Sequence, residues 1–192
     1  MSNKALIAII AIFVSTSIHA SPITFTFNGV GDLILGATEY DSTAFTVTLN
    51  ADTDDILGSS SLILYTPVSA TIDLGIALGT GTFNSNPVYV FNSQNDEAAG
   101  FGIGGFVPGD LFGTKSSVLA SYDMLSNLSP ASGSPYDPGQ WNDVGTSLGV
   151  TSFSNFTSST FSASVSAVPE PATLALFSIG LAGFGWSRRK KI

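Results

Sequence analysis

The chain is 192 residues long, with no cysteine, one histidine, 44% hydrophobic residues and only 10% charged ones. That length suits one folded body, and the lack of cysteine excludes a disulfide framework and thiolate-held metal. The net charge of −8 is unevenly spread: from Ser21 to Val168 thirteen carboxylates face one cation, Lys115, and no arginine, which excludes binding to a phosphate backbone.

In chain order, Met1-Ser2-Asn3-Lys4 forms a short basic start, residues 5–14 an unbroken apolar run, and residues 15–20 a more polar stretch ending in the small Ala20. This layout predicts a signal peptide over residues 1–20, cleaved before Ser21, because a signal peptidase accepts only small side chains at that position. The run is shorter than the ~20 apolar residues of a membrane span. His19 leaves with the leader, so the exported body has neither histidine nor cysteine. It cannot build a Ser-His-Asp triad, a Cys-His pair or a His-ligated zinc site.

From residue 21 to residue 167, short alternating runs are separated by Gly, Asn, Asp and Pro. Period two predicts strands with one dry and one wet face. Ile23, Phe25 and Phe27 alternate with threonines, as do Phe45, Val47 and Leu49; Phe161, Ala163, Val165 and Ala167 alternate with serines. Further strands are predicted over residues 61–65, 69–74, 88–91, 118–122 and 148–153, with breaks at 28–29, 50–55, 84–87 and 129–139. A short helix competes only over residues 110–128. The expectation is a single all-β domain over residues 21–167, a β-sandwich or jelly-roll-like fold.

Several groups within it are candidates for chemistry. Asn50-Ala51-Asp52-Thr53-Asp54-Asp55 spaces oxygens as a calcium loop begins, which makes Asp52, Asp54 and Asp55 candidate calcium ligands, although an EF-hand needs glycine at Asp55 and glutamate at Ser61. Glu39 with Asp41, and Asp96 with Glu97, are the close carboxylate pairs that a glycosidase would need. Gly100-Phe101-Gly102-Ile103-Gly104-Gly105 matches the dinucleotide pattern Gly-x-Gly-x-x-Gly, but Phe106-Val107-Pro108-Gly109 follows where a helix should start, so a glycine-rich turn or bulge is expected. Lys115 has Phe112 where a Ser-x-x-Lys nucleophile would stand. Asn127 and Asn155 begin formal glycosylation sequons. Tyr136 and Trp141, set among Asp137, Gln140, Asn142 and Asp143, are candidate sugar-binding residues, because sugars stack on aromatic rings flanked by polar groups; a buried core anchor is the other reading of Trp141. No catalytic residue and no required cofactor are identified.

The last 25 residues read as three parts. Pro169-Glu170-Pro171 favours an extended, accessible stretch. An apolar run over residues 172–186 follows, about 22 Å long as a helix at ~1.5 Å per residue, short of the ~30 Å hydrocarbon core unless its flanks snorkel. Arg188-Arg189-Lys190-Lys191 would keep the end on the cytoplasmic side, with the body outside. Residues 168–192 are therefore expected to form a separate tail with a short transmembrane helix over 172–186.

Together these residues resemble the PEP-CTERM sorting domain: Pro169, Glu170 and Pro171, an apolar helix, and the basic cluster of Arg188, Arg189, Lys190 and Lys191. The resemblance covers about two dozen residues. It implies recognition by an exosortase-type membrane enzyme that processes the protein near Pro-Glu-Pro, in bacteria that also make exopolysaccharide. The sequence therefore predicts a non-enzymatic, exported protein. It would be held in the membrane through its tail before processing and would then act at the cell surface or in the extracellular matrix, with a structural or interaction role associated with exopolysaccharide. A lectin-like carbohydrate-binding module is the alternative, and a carboxylate-pair glycosidase the third reading.

Overall fold

The alternation that makes one face of residues 22–35 apolar and the other hydroxylated gives the first strand of a computed structural model that describes residues 21–59, 62–67, 69–84, 88–104, 109–137 and 139–166. The predicted leader, the sorting tail and its apolar run over 172–186 lie outside the described residues. Strands β1 (Pro22–Leu35), β2 (Thr38–Asp52), β3 (Ile56–Ser59) and β4 (Leu62–Tyr65) are followed by β5 (Ser69–Asp73), β6 (Thr80–Thr82), β7 (Val88–Ser93) and β8 (Ala98–Ile103). Then come β9 (Asp110–Lys115), β10 (Leu128–Tyr136), β11 (Val144–Thr146) and β12 (Gly149–Val165). Two short 3₁₀ segments, Thr53–Asp55 and Ser117–Ser121, complete the described elements.

The strands form one antiparallel sheet in the order β3-β4-β7-β8-β9-β10-β12-β1-β2-β5-β6, with β11 adding to β12. β10 is the corner. Its first part pairs with β12 through Ser132–Thr160, and its end pairs with β9 through Tyr136–Gly113. The two arms on either side of it face each other. Phe25 of β1 meets Tyr65 of β4 at 5.3 Å between ring centroids, Phe27 meets Phe101 of β8 at 5.2 Å, and Phe45 of β2 meets Phe112 of β9 edge-on at 5.0 Å. The all-β expectation holds, and the layers of the sandwich are two arms of one sheet. The far edge of one arm also meets β11: Ser147 N–H donates to Thr82 O at 2.9 Å, and Asn84 N–H donates to Gly145 O at 2.9 Å. Residues 22 and 166 end together, with Ser166 N–H donating to Pro22 O at 2.8 Å.

Several sequence expectations are corrected. The break at Asn28-Gly29 is no break: β1 runs through it, because Gly29 faces the core and leaves room for the rings of Phe45 and Phe112. β2 continues to Asp52, three residues into the expected break over residues 50–55. Of the turn or bulge expected at the glycine-rich run, the structure has the bulge and not the turn: the run is strand β8, whose register against β9 shifts between Phe101 and Gly102, and Gly100 and Gly102 lie under the rings of Phe91 and Tyr89 from β7. The supposed break over residues 129–139 holds strand β10, whose Pro135 still pairs in register with Thr114. Residues 117–121 form a 3₁₀ turn and not a strand. There Asn92 Nδ2 donates to Leu119 O at 3.1 Å and to Tyr122 O at 2.8 Å, supplying a buried partner for carbonyls that a strand would have paired elsewhere.

Candidate functional site

The two candidate sugar-binding aromatics are not brought together. Trp141 is fully buried. Its ring packs on Phe153 at 4.7 Å, Phe45 at 5.4 Å and Phe101 at 5.5 Å, and its Nε1–H donates to Thr151 Oγ1 at 3.3 Å. A stacking role needs an open ring face, and this ring has none: its indole anchors the core between the arms. Tyr136 sits at the end of β10, half-buried, against Phe91 at 5.8 Å and beneath Lys115, whose Nζ is 5.4 Å from the ring centroid. Its hydroxyl donates to Asp110 Oδ2 at 3.2 Å, and Tyr89 donates to the other oxygen of the same carboxylate. Burial pushes the Tyr89 phenol well above its usual range, and the hydrogen bond to Asp110 adds to this. Burial likewise raises Tyr136. Both phenols therefore stay protonated at neutral pH and tie β7, β9 and β10 together.

Asp52, Asp54 and Asp55 do not converge as a calcium cage. Asp52 Oδ1 is engaged as the cap of the turn that follows it, accepting from Asp54 N–H at 3.2 Å, while Asp54 and Asp55 point to solvent. Among the described residues no group of three or more His, Cys, Asp or Glu side chains is placed to hold a metal ion. Glu39 and Asp41 are exposed on β2, and Asp96 and Glu97 stand in the exposed turn before β8, where Ser93 Oγ donates to Asp96 Oδ2 at 2.6 Å. Asn127 Oδ1 accepts from Val165 N–H at 2.6 Å, and Asn155 Nδ2 donates to Asp32 Oδ2 at 2.9 Å, so both sequon asparagines are used within the fold.

Two surface depressions are formed by described residues. One, of about 410 Å³, lies beside β3 and is lined by Ile56, Leu57, Ile63, Gln94, Asp123 and Leu125, with Leu57 60% exposed. The other, of about 310 Å³, lies on the outer face of β12, β1, β2 and β5. The short side chains of Val30 and Ala44 leave it open, and Asn28, Thr46, Asp73 and Thr160 stand around it. Each depression has one carboxylate, Asp123 or Asp73, where glycoside hydrolysis by a carboxylate pair needs two. The second depression was missed from the sequence. The signal for it is the run of threonines and asparagines at wet positions, Thr24, Thr26 and Asn28 in β1 and Thr46, Thr48 and Asn50 in β2, whose alignment depends on strand pairing.

Among the described residues no helix is long and apolar enough to cross a membrane. Pro169, Glu170, Pro171 and Arg188 to Lys191 lie outside them, and there the match with a known family is found: a family model for the PEP-CTERM protein-sorting motif covers residues 167–190. No curated protein and no solved structure matches the chain. The β-domain, with neither a histidine nor a cysteine from Ser21 to Ser166, thus precedes a sorting signal. The chain therefore carries a PEP-CTERM protein-sorting motif, a signal that implies export and sorting toward the cell surface.

Proposed function

We propose that the protein is a non-enzymatic component of the cell surface or extracellular matrix, delivered by an exosortase-type enzyme, whose β-domain has a structural or interaction role at the exopolysaccharide. The sorting motif at residues 167–190 carries this reading. The composition of the body supports it: the exported part offers no histidine or cysteine for nucleophilic or zinc chemistry. An all-β body with Ser- and Thr-rich outer strands suits the presentation of a surface. The amino-terminal leader and the apolar run over 172–186 would place it outside, tethered until processing near Pro169-Glu170-Pro171.

The reading is tested by fractionating cells with and without the sorting enzyme, after tagging the domain at an exposed turn such as residues 94–97. Surface delivery should fail only in the mutant, with unprocessed protein accumulating in the membrane. Equal delivery in both strains would refute the assignment.

A further inference from the structure

Strand register turns the wet positions of one arm into an ordered array. Side chains directly opposite one another share a face of the sheet. One row crosses five strands as Ser162, Thr26, Thr48, Thr71 and Thr82. A second crosses six as Ser132, Thr160, Asn28, Thr46, Asp73 and Thr80. A third runs Ser164, Thr24, Asn50 and Ser69. The depression of about 310 Å³ opens at one end of this array, beside Asn28, Thr46, Asp73 and Thr160.

We propose that this face binds a neutral, hydroxyl-rich polymer, an uncharged polysaccharide lying across the strands with one residue seated in the depression beside Asp73. The chemistry is reciprocal: hydroxyls and amides both donate and accept, as do the hydroxyls of a sugar chain. The array is partly pre-ordered, which reduces what binding must immobilise. Thr24 Oγ1 donates to Asn50 Oδ1 at 2.7 Å, and Asn50 Nδ2 donates to Ser69 Oγ at 3.0 Å. Thr46 Oγ1 donates to Asn28 Oδ1 at 2.8 Å.

Charge selects among polymers. The three rows contain a single ionisable group, Asp73, and no cation, within a body of net −12 from Ser21 to Val168, so a uronate- or phosphate-bearing chain would be repelled. The rows also carry no large apolar or aromatic side chain, the groups that anchor protein partners. Shape decides against a rigid crystalline surface. Strands twist by roughly 20° each, so five strands accumulate a turn that a flat lattice cannot follow, while a flexible chain can. Each hydrogen bond exchanges one with water and contributes little, so binding depends on many contacts along a long chain.

This proposal deepens the surface-interaction reading but does not use the sorting machinery, so failure of one leaves the other standing. The test is affinity electrophoresis of the full chain, held in a detergent without a sugar headgroup, through gels containing hydroxyethylcellulose, a neutral galactomannan, or alginate. Retardation is expected with at least one neutral polymer and not with alginate. The variant T26V/T48V/T71V keeps strand-forming side chains but removes the three central hydroxyls of the middle row, and should weaken retardation about tenfold or more. Asp73→Ala should weaken it separately, and unchanged Trp141 emission in both variants, read with Trp186→Phe introduced in every chain compared, would show an intact fold. Four results would each overturn the proposal: no retardation by either neutral polymer, equal retardation by alginate, undiminished binding by the folded triple variant, or a variant that alters only self-association.

Discussion

Asp32 shows how one side chain stabilises an irregular stretch of a regular sheet. It lies where the pairing of β1 shifts register against both neighbours, and its carboxylate accepts from Ser42 N–H at 3.0 Å and from Asn155 Nδ2 at 2.9 Å. Ser42 within β2 and Asn155 within β12 both hold left-handed backbone, at φ 49° and 51°, so the same carboxylate holds two strained irregularities of the strands. The Ser42 N–H, followed by the Asn155 amide, lowers the Asp32 carboxyl below its ordinary value. A lowered folded-state value means the contribution is complete above the unfolded carboxyl value near ~3.9 and is lost as pH falls through the folded value. Asp32→Asn should therefore lower Tm at neutral pH and flatten the loss of Tm below about pH 4. A melt series with the same acid limb as the wild type would contradict this. Trp141 belongs to the same scale. Trp141→Ala should cost about 3–5 kcal/mol in denaturant unfolding, because the indole fills the space among Phe45, Phe101 and Phe153. A change of a few tenths would mean the ring is not the anchor.

Among the elements, the strands differ in how openly their sequences declare them. β1, β2 and the last part of β12 bury one face and wet the other, so period two is plain in the sequence. β8 is buried on both faces, and Gly100 and Gly102 stand where rings from β7 cross, so its sequence reads as a turn or bulge and not as a strand. Residues 117–121 carry the opposite trap. Alternation suggests a strand there, yet only Leu119 is buried within the turn and Val118 is 44% exposed. The account of β8 predicts that Gly100→Val lowers the urea midpoint despite valine's higher strand propensity, because a Cβ at Gly100 would stand 2.6 Å from Phe91 Cζ. The cost expected of such overpacking is about 1–3 kcal/mol. A stabilised variant would show that the ring does not cover this position.

At the scale of the whole molecule, residues 21–168 form an acidic body with one cation, and no converged carboxylate cage is found among the described residues. Its repulsion is diffuse, so Tm should rise with sodium chloride, and calcium should do no more than magnesium at equal ionic strength. A calcium-specific rise in Tm would contradict this reading. The sequence alone determined the all-β class, the long alternating strands and the sorting motif, because each depends on local patterning or on a contiguous run. It also determined that histidine and cysteine are missing from residues 21–168, since a residue type that is missing cannot be supplied by folding. Only the tertiary structure decided that Trp141 is core, that Asp52, Asp54 and Asp55 do not meet, and that hydroxyls from six strands line up on one face. Those outcomes depend on which strands pair and in what register. That choice is settled by burying Phe25, Phe27 and Phe45 against the opposite arm, through contacts between residues far apart in the chain.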